Sequence, residues 1–209
     1  MIIAGFQKKG NDVTVAFNDG SYRNLDYRIV VDYGLWKDQE LDEKKIELLS
    51  YESSLIKAKD SAFRYLGLRI HSTSELRLKL QKKKHPKEVI EKVLDWLTER
   101  KYLNDDEFVK QFITEKIKKK RIGTAKLIAE LTKKGIKRES INENLLSIDS
   151  DLYFENALQL AAKKLNIIRA KETDERKIVS KLFSFLATKG YESDLIRKVI
   201  LKLNMQTEE

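Results

Sequence analysis

Three stretches decide the fold: LRLKLQKKKHPKEVIEKVL at residues 76–94, LIAELTKKGIKRESINENL at 127–145, and LFSFLATKGYESDLIRKVI at 182–200. They align without a gap. Each opens on a leucine (Leu76, Leu127, Leu182) and repeats it four residues on (Leu80, Leu131, Leu186). A lysine follows three further along, at Lys83, Lys134 and Lys189, and an apolar pair closes each copy at Ile90/Leu94, Ile141/Leu145 and Ile196/Ile200. An i, i+4 leucine pair lays one apolar stripe along a helix, so each copy reads as two amphipathic helices joined by a turn. Gly135 and Gly190 stand at that turn in two copies, where a helix closes in a left-handed conformation, and Lys84–His85 replaces the glycine in the first. Glu88, Glu139 and Asp194 open the second helix, where a carboxylate complements the positive end of the helix dipole. Apolar, basic and acidic positions all stay in phase, which marks an internal repeat.

Working outward, each pair is preceded by a longer helical stretch, centred near Phe63, Phe112 and Leu158, that completes a three-helix bundle. Ser72 and Glu75 form a capping box, Asn104 and Glu107 a looser one, and the single proline, Pro86, sits where a helix begins. About nine helices are expected beyond Asp42. The expected fold is mainly α, with three tandem bundles of about 50 residues forming an elongated, curved body. Before it, Val13, Val15 and Phe17 alternate, and Asn18–Asp19–Gly20 supplies a turn, so a small β-hairpin or three-stranded sheet is expected to end near Val31. This organisation assigns residues 1–56 to the β element and a lead-in helix, and 57–103, 104–149 and 150–209 to the three repeats.

Charge is unevenly spread. Residues 57–149 carry 24 basic and 14 acidic side chains, whereas residues 1–56 carry 7 and 10. A +10 stretch must tolerate its own repulsion, which points to an anionic partner for the middle of the chain. There is no cysteine, and two histidines, His71 and His85, are too few for a histidine-based metal site. No stretch reaches the roughly 18 apolar residues a membrane helix needs, and the short Met1–Phe6 run is no signal peptide. A cytoplasmic protein acting as a monomer, with no cofactor and no membrane partner, is expected. The carboxylates Asp105–Asp106–Glu107 could imitate a catalytic cluster, but acids are expected at a helix start, and no phosphate loop or nucleophile elbow occurs.

The ordered set Tyr65–Leu66, Arg69, Ser72, Glu75–Leu76, Lys79–Leu80, Tyr102–Leu103–Asn104–Asp105, Gly123, Leu127, Glu130–Leu131 and Lys134–Gly135–Ile136 resembles the RecX family of recombination regulators. A weaker version continues at Leu186 and Lys189–Gly190–Tyr191, so the likeness covers about residues 57–204, and the β segment is similar to that of the longer, Gram-positive-type members. His71 departs from the family's usual arginine, and Lys84–His85 and Lys101 replace glycine-containing junctions. The resemblance implies three tandem three-helix units without catalytic residues. It also implies binding to RecA and to RecA filaments on single-stranded DNA, with modulation of filament growth, strand exchange and coprotease activity.

The candidate contacts to RecA or DNA are two basic clusters and their surroundings. Lys82, Lys83 and Lys84 form one; Lys116, Lys118, Lys119, Lys120 and Arg121 form the other, at a helix end before Gly123. Lys79, Lys126, Lys133 and Lys134 extend them. Arg69 and Arg77 can fork onto a phosphate or pair within the chain, with Glu75 or Asp105. Trp36 and Trp96 are expected to pack, with base stacking as the alternative. A plain nucleic-acid-binding module and an adaptor for an acidic protein are the competing functions.

Overall fold

Alternating apolar residues build the first layer. In the computed structural model, which describes residues 1–203 with the backbone but not the side chain of Lys120, strands β1 (Ile3–Lys9), β2 (Asp12–Phe17) and β3 (Tyr22–Asp26) pair antiparallel in that order. Val13, Val15 and Phe17 point to one buried face, as their spacing requires. The strand expected to reach Val31 stops at Asp26, and a short helix α1 (Tyr27–Asp32) takes over. The Asp26 carboxylate accepts from the Arg28 backbone N–H and is gripped by the Arg28 guanidinium at 2.8 and 3.0 Å. This N-cap outweighs the strand preference of Ile29, Val30 and Val31.

The chain divides into two compact units, Met1–Asn104 and Asp105–Glu209. In the first, helix α2 (Glu43–Leu66) serves two cores. Ile46, Leu49 and Ile56 pack under the sheet. Leu55, Ala58, Ala62 and Tyr65 pack against Leu76, Leu80, Val89, Ile90, Val93, Leu94 and Leu97 of α3 (Thr73–Lys82) and α4 (Lys87–Glu99). Phe63 therefore lies near the end of this long helix, not at its centre, because the helix extends backward to support the sheet. The Ser72–Glu75 capping box is formed, and Pro86 is the N-cap of α4.

The second unit holds α5 (Asp105–Glu115), a π-helical turn (Lys116–Lys120), α6 (Thr124–Lys133), α7 (Arg138–Leu145), α8 (Ser150–Arg169), α9 (Glu175–Thr188) and α10 (Ser193–Lys202). Two apolar cores meet at Ile148, one built on Leu127, Leu131 and Ile141, the other on Leu182, Leu186, Ile196 and Ile200. The phased leucines are thus the centres of the bundles. Among the described residues the fold comprises ten α-helices, one π turn and one sheet, and no helix is long and apolar enough to cross a membrane.

The last two bundles are locked at a backbone contact. The free N–H groups at the start of α6 donate to the free carbonyls at the end of α9: Gly123 to Lys189 at 2.9 Å and Ala125 to Gly190 at 3.1 Å. Each helix end satisfies the other's orphan groups. The Tyr191 hydroxyl donates to the Arg121 carbonyl at 2.8 Å, and the Thr124 N–H donates to the Tyr153 hydroxyl oxygen at 2.8 Å. Burial raises both tyrosine pKa values above the ordinary range, so both stay protonated. No side chain fits between the two segments: a Cβ on Gly123 would lie 2.1 Å from the Gly190 backbone.

Candidate nucleic-acid interface

Each helix–turn–helix ends its first helix in the same way. A lysine caps the helix (Lys83, Lys134, Lys189), and the next residue turns left-handed, at φ 62° for Lys84, 75° for Gly135 and 91° for Gly190. Lys101 adopts φ 59° at the end of α4, and Arg121 φ 48° after the π turn. Three cations thus occupy positions that a glycine fills at lower cost, on the order of 1–2 kcal/mol each.

The basic residues separate into held and free groups. Arg69 forks onto Glu75 at 3.0 and 3.2 Å, one of the two intramolecular partners expected for it, and Arg77 forks onto Glu91 with both bonds at 2.8 Å. The hydrogen bonds from Arg77 hold the Glu91 carboxyl below its ordinary value. Lys79 lies over the Tyr65 ring at 4.4 Å, and Lys134 over Phe112 at 5.5 Å. Lys116 pairs with Glu130 and also sits 4.8 Å from the Phe112 centroid. Lys119 makes a loose i, i+4 contact to Glu115 at 3.4 Å. Arg121 and Lys126 are half-buried beside the Gly123–Gly190 contact. The Lys120 side chain lies outside the described residues.

What remains exposed and without an ion pair among the described residues is Lys82, Lys83 and Lys84 around the α3–α4 turn, with Lys118 and Lys133 in the second unit. Lys87, after the α3–α4 turn, and Lys137 and Arg138, after the α6–α7 turn, are exposed beside them. These three fall outside the clusters that the sequence singles out. Their signal is position, since each flanks a basic turn, while consecutive runs dominate a reading by composition. Lys118 also rims a groove of about 290 Å³ with Lys110, floored by Ile113, Ile117 and Leu152.

His71 is buried, and its Nδ1 lies 2.9 Å from the Arg69 carbonyl, an acceptor, so Nδ1 carries the proton. Burial pushes its pKa down, as it does for His85, whose Nε2 sits 3.1 Å from the Ser61 hydroxyl. Both rings are therefore neutral parts of the scaffold near neutral pH. Trp96 packs as expected, whereas Trp36, on the connection between α1 and α2, is 61% exposed.

A regulatory protein RecX from Clostridium beijerinckii is 31% identical to this chain over 198 residues, covering 94% of the chain and 92% of the relative. This chain belongs to the RecX family. The RecX of Clostridioides difficile is 30% identical over 94% of the chain and 92% of its own length. Family models for the first and third three-helix domains of RecX match residues 58–97 and 151–200. Among solved structures, a regulatory protein RecX superposes with a TM-score of 0.73 at 23% identity, over 95% of this chain and 98% of that one. The RecX of Lactobacillus salivarius superposes at 0.66 and 22% identity, over 73% and 98%. These two carry the fold, and the relatives above carry the family and its regulatory character.

Proposed function

We propose that this RecX-family chain binds RecA and RecA–single-stranded-DNA filaments and modulates them, mostly by inhibiting recombinase, ATPase and coprotease activity, without chemistry of its own. The observation that carries the reading is the set of exposed lysines without an ion pair among the described residues, Lys82, Lys83 and Lys84 around the α3–α4 turn with Lys118 and Lys133 in the second unit, beside Arg69, Arg77 and Lys116, which glutamates hold. Unpaired surface ammonium groups lose little on meeting an anionic polymer and release its counterions. Several modest contacts then add through effective concentration. Regulatory RecX relatives and family models for the first and third three-helix domains support the reading, and we propose 57–103, 104–149 and 150–209 as its three successive helical repeats.

RecA ATPase and strand-exchange assays, run beside DNA binding without RecA, test it. Inhibition at substoichiometric amounts is expected, and charge reversal at Lys118, Lys119 and Lys120 should weaken inhibition more than folding. Tight DNA binding with no effect on RecA would instead identify a sequence-nonspecific nucleic-acid-binding module.

A further inference from the structure

The first unit carries an aromatic cluster that the basic surface does not explain. Lys59 and Phe63 lie one turn apart on α2; Trp96 and Arg100 lie one turn apart at the end of α4. The two pairs face each other. Lys59 Nζ sits 4.2 Å and the Arg100 guanidinium carbon 4.5 Å from the Trp96 ring centroid. Phe63 meets Trp96 edge-on at 6.1 Å and Tyr102 edge-on at 5.2 Å, and Tyr102 stacks on Trp96 at 6.1 Å with 20° between planes. The left-handed turn at Lys101 produces this arrangement, since the Tyr102 N–H returns to the Leu97 carbonyl at 2.9 Å and folds the ring back over α4.

A cluster that only filled the core would be covered. Here Tyr102 is 56% exposed and Phe63 39%. Lys59, Arg100 and Lys101 have no carboxylate partner among the described residues. Exposed rings bordered by cations that rest on a ring and not on a carboxylate match one ligand chemistry: a flat π face with a phosphate a few ångströms away. In a duplex the base faces are already stacked on each other, so the strand must be single.

We infer that Phe63 and Tyr102, backed by Trp96 and flanked by Lys59, Arg100 and Lys101, form a base-stacking platform for single-stranded DNA. The choice of DNA rests on the filament reading above; the stacking chemistry does not. Trp96 reports on it directly once Trp36, the other tryptophan, is replaced by phenylalanine.

The test titrates the Trp36→Phe protein, without RecA, with an oligo-dT of about twelve nucleotides and with an abasic strand of the same phosphate count. The dT strand should bind roughly tenfold more tightly and quench Trp96, a preference of the size expected for one or two stacked bases. Tyr102→Ala should bring dT down to the abasic level and leave abasic binding unchanged, which also reports that the unit is folded; Tyr102→Phe should keep the preference. Equal affinity of the unsubstituted cluster for the two strands would overturn the platform and assign the patch to a protein partner. Retention of the preference in Tyr102→Ala would overturn it as well. RecA inhibition is read separately: inhibition without base preference removes the platform alone, and base preference without inhibition removes the filament reading alone.

Discussion

Lys84 and Gly190 hold the same place in two copies of one motif, yet their surroundings are opposite. Both follow a lysine cap, and both turn left-handed, at φ 62° and 91°. Lys84 faces solvent beside Lys82 and Lys83, whereas Gly190 is buried against the start of α6, where a Cβ would lie 2.5 Å from the Lys126 backbone nitrogen. The helix–turn–helix geometry is therefore common property, and the residue at its left-handed position records what lies outside the turn. Where another chain segment touches the backbone, only glycine fits. Where the outside is water, a lysine is accepted at some conformational cost and adds a charge.

Four substitutions grade this difference. Gly123→Ala or Gly190→Ala should destabilise the second unit by on the order of 3 kcal/mol, because the contact is backbone on backbone and neither side can yield; chemical denaturation would show it as a lower midpoint. Gly135→Ala, at an exposed turn with φ 75°, should cost only about 1 kcal/mol. Lys84→Gly should run the other way and stabilise the first unit by about 0.5–1 kcal/mol, since the relief of the left-handed lysine exceeds the added chain entropy. That variant removes a candidate ammonium group while gaining stability, so weaker binding cannot be assigned to unfolding.

A smaller effect separates the units by pH. His71 and His85 both lie in the first unit, and burial lowers the pKa of each. The unfolded chain then takes up protons that the folded one resists, so stability is full above the ordinary histidine value of about 6.5 and falls as pH drops below it. Melting curves between pH 7.5 and 5.5, roughly spanning that value, should show the first unit losing stability. Replacing both histidines by glutamine should flatten the decline; an equal decline without them would contradict this origin.

The bundles are legible in the sequence because their signals are local. The i, i+4 leucines, the Ser72–Glu75 box, Pro86 and the acids Glu88, Glu139 and Asp194 all act within one turn or one junction, and the structure uses each in that role. The expected strand overruns β3 because the Asp26 cap acts through a side chain, which a β-branched run conceals. At the candidate surface, spacing cannot reveal that Arg77 is claimed by Glu91, fourteen residues away, or Lys116 by Glu130. Nor can it bring Phe63 to Tyr102. Charge is visible in a sequence, but its availability is settled by tertiary pairing.

That distinction between held and free charge is most directly tested by the salt dependence of binding to RecA filaments on single-stranded DNA. We compare the unsubstituted protein with a Lys82→Ala, Lys83→Ala, Lys84→Gly variant and with an Arg69→Gln, Arg77→Gln variant. The log–log slope should become shallower by roughly 0.7 for each phosphate that the lysine variant no longer neutralises, and stay parallel to the unsubstituted protein in the arginine variant. An unchanged slope in the lysine variant, or a shallower one in the arginine variant, would contradict the account.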